Sequence, residues 1–228
     1  AQPITIEKQG AFSAGGTVIE AKKTFDPYHP EPDAMTLHGD HANVIYQIPV
    51  HAKNISLMFL HGAGQSMRTW QTTPDGREGF QSVFLRKGYP VYLIDQPLRG
   101  DAGRATVDGT IKASPDEQFW FGQFRMGLWP KFYDNSAFAS QKDLNSFWRQ
   151  MTPNTGPYND KVIADAVTDA LKKSEGTVLV THSQGCGLGW LIGTEAGNNL
   201  KGIIAFEPGS GFIFPEGKVP APIPNNSF

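Results

Sequence analysis

One stretch constrains this chain more than any other: Gly176-Thr-Val-Leu-Val-Thr-His-Ser-Gln-Gly185 and the residues that follow it. Thr177 to Val180 is a short, apolar, β-branched run of the kind that forms a buried parallel strand. It breaks at Thr181-His-Ser-Gln-Gly185, and Cys186-Gly-Leu-Gly-Trp-Leu-Ile-Gly193 then continues as a helix of small and apolar residues. Strand, tight turn around a central serine, then helix is the nucleophile-elbow pattern. The serine of such a turn sits on strained backbone, so the chain two residues to either side must pass close to its neighbours. Gly185 meets that demand, whereas Thr181 is larger than the glycine of the usual G-x-S-x-G. The alternative is a strand-to-helix loop with an incidental serine; the strand and helix context favours the elbow.

The rest of the chain arranges itself around that unit. Ile55-Ser-Leu-Met-Phe-Leu60 is a continuous apolar run ending in His61-Gly-Ala-Gly64. Glycines in such a loop let backbone N–H groups face a developing negative charge with no Cβ in the way. A helix is expected over Glu78 to Lys87, with Phe80, Val83 and Phe84 on its buried face and Gly88 ending it. Pro90-Val-Tyr-Leu-Ile-Asp95 is the next buried strand, which gives the βαβ rhythm of a parallel sheet. Asn159 to Lys173 carries apolar residues at 162, 163, 166, 167, 170 and 171 and reads as an amphipathic helix feeding the elbow strand. After the elbow helix, Gly202-Ile-Ile-Ala-Phe-Glu207 is a further buried strand. Residues 1–50, with turn signals between β-prone runs such as Thr17-Val-Ile-Glu20, read as antiparallel strands at the sheet edge ending in Ala42 to Val50.

Residues 96–158 interrupt the rhythm. A glycine- and arginine-rich loop, Gln96 to Arg104, leads into a stretch dense in aromatic residues, Trp120, Phe124, Trp129, Phe147 and Trp148 among them. A connection this long between two strands of one sheet is usually functional. It is expected to form a cap that walls an apolar pocket, with Trp120 and Trp129 as substrate-binding candidates alongside His61 and Gly62 of the glycine loop.

Glu207 is the acid candidate. It ends an apolar strand at the rim where catalytic loops gather, and Pro208-Gly209 is expected to turn the chain away from it. A carboxylate there can hold an imidazole base in the correct tautomer. The imidazole is the difficulty, because no histidine follows His182, and His182 adjoins the serine on a turn that points neighbouring side chains different ways. His29, His38, His41 and His51 fall in polar, proline-rich sequence with no zinc-site spacing and read as solvated loop residues.

Composition excludes several classes. The chain has 228 residues, 18% of them charged, and a net charge of −2, with no basic footprint for nucleic acid and no membrane-length apolar run. Its one cysteine, Cys186, rules out an internal disulfide and reads as a packing residue. Neither metal nor organic cofactor is expected. The start at Ala1-Gln-Pro resembles a chain left after signal-peptide removal, which points to a secreted or periplasmic protein, although other trimming would leave the same end. Asn54-Ile-Ser56 and Asn225-Asn-Ser227 match the glycosylation triplet; the first lies in an expected strand, which leaves the second, and that only in a eukaryotic host.

The segments Thr69-Trp-Gln-Thr-Thr-Pro-Asp-Gly-Arg77, Phe84-Leu-Arg-Lys-Gly88, Thr181-His-Ser-Gln-Gly185 and Phe206-Glu-Pro208 together resemble the bacterial esterase 713 family of α/β-hydrolases, from about His61 to Gly209. The resemblance implies an exported serine esterase with a Ser-His-Glu triad, whose serine and acid map onto Ser183 and Glu207. That family's histidine lies well downstream of its glutamate. In this fold the chain order is serine, acid, histidine, and two more βα units normally follow. The expectation is therefore that residues 1–228 are the N-terminal portion of one α/β-hydrolase domain. The remaining units and the histidine would lie beyond residue 228 or on a companion fragment. The adjacent cysteines that family carries near its oxyanion loop are absent from His61 to Gly64, so its substrate preference does not transfer. The expected activity is hydrolysis of a small-molecule carboxylic ester, with the amides of Ala63 and Gln184 holding the oxyanion. Acyl transfer or amide hydrolysis by the same triad, and a non-catalytic binding protein on this scaffold, are the alternatives. No nucleic-acid or membrane partner is expected, and a homodimer stays open.

Overall fold

The computed structural model describes residues 3–138, 140–174, 176–209 and 217–218. In chain order the elements begin with β1 (Ile6–Ala14), β2 (Thr17–Ile19), β3 (Leu37–Gly39), β4 (Ala42–Pro49) and β5 (Ser56–Leu60). Then come α1 (Phe80–Arg86), β6 (Val91–Asp95), α2 (Glu117–Gln123), β7 (Gly127–Leu128), β8 (Lys131–Phe132) and α3 (Gln141–Trp148). The last are α4 (Asp160–Lys172), β9 (Thr177–His182), α5 (Gln184–Glu195) and β10 (Leu200–Phe206). One sheet takes six of the strands in the order β1-β4-β6-β5-β9-β10. Strands β6, β5, β9 and β10 are parallel, while β4 and β1 join antiparallel at one side.

The apolar runs explain this layering. Every residue of β5 and β6 is buried, as expected for strands covered on both faces. Alternate side chains feed two cores. Met58, Leu60, Ile94 and Leu179 pack with α4 and α5, whereas Leu57, Phe59, Leu93 and Val180 pack with Trp70 and Leu85 on the other face. Helix α4 starts at Asn159, whose side chain accepts from the Val162 N–H at 3.1 Å. Helix α1 ends in a Schellman turn, with Gly88 N–H donating to Leu85 O and Tyr89 N–H to Phe84 O, and Gly88 at φ +82°.

Four expectations change. Thr17–Ile19 is not at the edge of the main sheet but pairs with β3 in a separate ribbon, and the edge is β1, whose polar, exposed pattern carries no core signal. In α1 only Leu85 is fully buried and Phe80 remains 38% exposed, because the short helix covers the sheet with its last turn. β10 is not buried: it pairs with β9 alone among the described residues, leaving Ile204 46% and Phe206 40% exposed. Asn54 is exposed two residues before β5 rather than within a strand, and Asn225 lies outside the described residues, as does nearly all of the proline-rich stretch from 214 onward.

Residues 96–158 build a small core of their own from Phe121, Met126 and Leu144, with Phe132, Phe138, Phe147 and Trp148 packed around it. This unit sits at the end of the sheet where the parallel strands finish.

Candidate active site

The chain leaves β5 to one side, through α1 to β6, and returns to the other side through α4 to β9. Adjacent loops at the ends of β5 and β9 therefore diverge, and such a switch point is where open α/β sheets form a crevice. Ser183 stands there between β9 and α5. Its backbone is at φ +52° and ψ −119°, a region that costs a non-glycine residue about 1–3 kcal/mol. The turn is held from several sides. Ser183 N–H donates to Phe206 O at 3.1 Å, while Ser183 O accepts from Cys186 N–H at 3.0 Å and Gly209 N–H at 3.2 Å.

The small residues around the serine have specific reasons. A Cβ on Gly185 would lie 2.6 Å from His61 O, and one on Gly62 would lie 2.9 Å from Ser183 Cβ, so the two loops meet backbone to backbone. Thr181 is fully buried, and its Oγ1 contacts Cys186 Sγ at 3.3 Å. Its extra bulk is absorbed by the helix: a Cβ on Gly189 would fall 3.0 Å from Thr181 Cγ2. The room for the threonine is provided by the glycine that faces it from α5.

The glycine loop after β5 places Ala63, Gly64 and Gln65 on the crevice wall. The backbone N–H groups of Ala63 and Gln184 have no acceptor among the described residues. His61 is fully buried behind this loop and does not line the crevice. Its Nδ1 donates to Gly62 O at 3.0 Å and its Nε2 accepts from Gln96 N–H at 3.3 Å, which fixes a neutral imidazole. Burial drives its pKa down to about 3, so the 3.8 Å approach of Asp95 is no ion pair. Gly62 is likewise behind the wall. Both residues were expected to touch substrate, and both instead shape the loop.

His182 does line the crevice, with its Nδ1 2.9 Å from Gln65 Oε1. That oxygen also accepts from Gly62 N–H at 3.0 Å, so the imidazole donates. Burial lowers the His182 pKa, against the opposing pull of Glu207.

Glu207 follows β10, where Phe206 pairs with His182, so the strand register sets it across from the serine. Its backbone is at φ +47° and its exposed carboxylate is ion-paired with Arg125. Pro208-Gly209 does not turn the chain away; it folds back over the elbow. A Cβ on Gly209 would sit 3.1 Å from Ser183 Oγ.

The crevice opens into a cavity of about 1300 Å³ walled by the 96–158 unit. Trp120, Phe124, Phe147, Trp148 and Met151 line it beside Ser183, Gln184 and Glu207. Trp120 stacks on Phe124 at 5.2 Å, and Phe124 meets Phe147 edge-on at 6.1 Å. Trp129 is 48% exposed, packs edge-on against Phe121 at 5.4 Å and is not part of the wall. Among the described residues, no group of three or more His, Cys, Asp or Glu could hold a metal ion. Gln65, Arg99, Arg125 and Asn154 shape the site without any motif to mark them; the arginine-rich loop after β6 is the one sequence signal that touched any of them.

A crossed parallel sheet with a serine on a positive-φ turn at its switch point defines an α/β-hydrolase. The chain belongs to the alpha/beta hydrolase family, whose profile matches residues 57–227. Among known proteins it is 32% identical over 161 residues to the probable secreted lipase phiG of a fungal species. That match takes in 67% of this chain and 44% of the lipase, so the chain spans less than half the length of that relative. Among solved structures it superposes on a bacterial esterase with a TM-score of 0.75 and 28% identity, over 89% of this chain and 68% of that one.

Proposed function

We propose that this chain carries the nucleophile and oxyanion donors of a carboxylic-ester hydrolase of the esterase 713-like kind. The observation that carries the reading is Ser183, held at φ +52° on the crevice wall. It stands between two loops whose Ala63 and Gln184 amides lack acceptors among the described residues. In this reading Ser183 Oγ attacks the acyl carbon, an imidazole takes its proton, and the two amides receive the oxyanion, each worth about 3–4 kcal/mol of barrier. The tetrahedral adduct collapses, the imidazole returns the proton to the leaving alcohol, and water then cleaves the acyl-enzyme by the same steps in reverse order.

None of the six histidines is placed for that work. His61 has both nitrogens committed and is buried. His182 adjoins the serine with Nδ1 engaged by Gln65. His29 is bonded to Asp26 in an exposed loop, and His38, His41 and His51 lie in or beside the N-terminal strands. The base is therefore assigned to a histidine supplied from beyond residue 228 or by a companion chain, oriented by Glu207 once that carboxylate exchanges Arg125 for the imidazole. Residues 96–158 act as the cap, and its aromatic wall selects an ester with a bulky apolar group. Likeness to a protein named as a secreted lipase supports export.

The test is hydrolysis of p-nitrophenyl esters of increasing acyl length by the native protein. Ser183→Ala is expected to lower kcat by about 10⁶-fold and Glu207→Gln by about 10⁴-fold. Hydrolysis that survives Ser183→Ala contradicts the proposal.

A further inference from the structure

Arg99 is among the largest fully buried side chains, and a guanidinium taken out of water has to be met by fixed acceptors. It follows β6 and reaches into the space behind the glycine loop. Its Nη1 donates to Gly62 O and to Gln65 O, each at 3.2 Å. These two carbonyls bracket Ala63 and Gly64. From its other edge, Nε and Nη2 donate to Asn154 Oδ1 at 2.8 and 2.6 Å. Asn154 belongs to the leg by which the cap returns to the sheet. That leg also grips the loop directly: Thr152 N–H donates to Gly64 O at 2.8 Å, and Met151 Cε occupies the space a Gly64 side chain would need. Met151 and Trp148, on the same leg, line the cavity. One cation thus bonds the loop that presents the Ala63 amide and the leg that walls the pocket.

We propose that Arg99 is a positioning residue that aims the Ala63 amide at the acyl oxygen and, through Asn154, makes that aim depend on the cap leg that touches the substrate. This rests on the ester-hydrolase reading above. It follows that an ester large enough to press on Met151 and Trp148 is turned over faster than a short one, in kcat and not only in KM. Lysine in place of Arg99 keeps the charge but, as a point donor on a flexible stem, cannot span three acceptors.

The experiment compares wild type, Arg99→Lys, Asn154→Ala and Asn154→Asp on p-nitrophenyl acetate and octanoate, with hydrogen exchange read at residues 61–66 and 149–156. Arg99→Lys and Asn154→Ala are expected to lower kcat by about 10- to 100-fold, short of the 100- to 1000-fold seen when an oxyanion donor is lost outright. KM should stay nearly unchanged, the octanoate advantage in kcat should vanish, and exchange should accelerate in both segments together. Asn154→Asp retains an acceptor for the guanidinium and should restore kcat and protection. Folded variants with wild-type kcat, chain-length preference and exchange overturn the proposal. If Arg99→Lys does not fold, Asn154→Ala and Asn154→Asp still decide it. A wild type whose hydrolysis survives Ser183→Ala overturns the ester reading instead, and the exchange data then still show whether Arg99 orders the loop.

Discussion

Two residues show how closely this site is fitted. Thr181 stands where the elbow pattern has glycine, and Gly189 of α5 gives it room, with 3.0 Å between Thr181 Cγ2 and the position of a Cβ there. Alanine for glycine inside a helix normally stabilises by about 1 kcal/mol. At position 189 the clash should reverse the sign, since overpacking costs about 1–3 kcal/mol. Gly189→Ala is therefore expected to destabilise, and to become stabilising once Thr181→Ser has removed Cγ2. Urea denaturation of the four proteins of that cycle should give a coupling of about 1 kcal/mol or more; strict additivity would disprove the compensation. His61 makes the second case. Its folded pKa is about 3 against the ordinary 6.5, so the unfolded state binds more protons between those values. Its contribution to stability is complete above pH 6.5 and is lost as the pH falls towards 3, by up to about 1.4 kcal/mol per unit. Asp95, whose carboxyl is pushed up by burial, works in the opposite sense. The difference between wild type and His61→Gln, with stability measured from pH 7.5 to 5, isolates the histidine; parallel profiles would refute it.

At the scale of elements, the legible parts were those whose burial is settled locally. β5, β6, α4 and the β9–α5 turn each announce themselves by an apolar run or a helical stripe, and each forms within a residue or two of where the sequence puts it. β10 has the same kind of run, yet pairs with β9 alone among the described residues, and a strand's burial depends on its neighbours and not on its own residues. β1 went unread for the complementary reason: Ile6–Ala14 shows mostly polar positions to water. The polar framework was invisible because its contacts are long-range, with Arg99 joined to Asn154 55 residues away and Gln65 to His182 117 residues away. Residues 96–158 also have their own core, which yields a prediction. Leu144 is fully buried there with Phe121 and Met126 and apart from both cores of the sheet. Leu144→Ala should cost about 2–5 kcal/mol, localised to residues 117–151. Far-UV circular dichroism of the sheet should persist while kcat/KM for a long-chain ester falls. Loss of the whole fold in one transition would show that the cap is not a separate unit.

On the scale of the whole molecule, the sheet, the positive-φ serine and the glycine loop converge on one crevice, and residues 96–158 wall it with aromatic side chains. No helix among the described residues is long and apolar enough to cross a membrane. Glu207, paired with Arg125, faces the same crevice from β10. All of these features acquire a common purpose if Ser183 is a nucleophile, and that is the claim most open to direct test. The native protein should be treated with diethyl p-nitrophenyl phosphate, digested, and its peptides weighed. A single diethylphosphoryl group on the Ser183 peptide, formed with release of one p-nitrophenolate and absent from Ser183→Ala, is the predicted result. An unlabelled Ser183, or a label that persists in Ser183→Ala, would contradict the account and leave the crevice as a binding site without covalent chemistry.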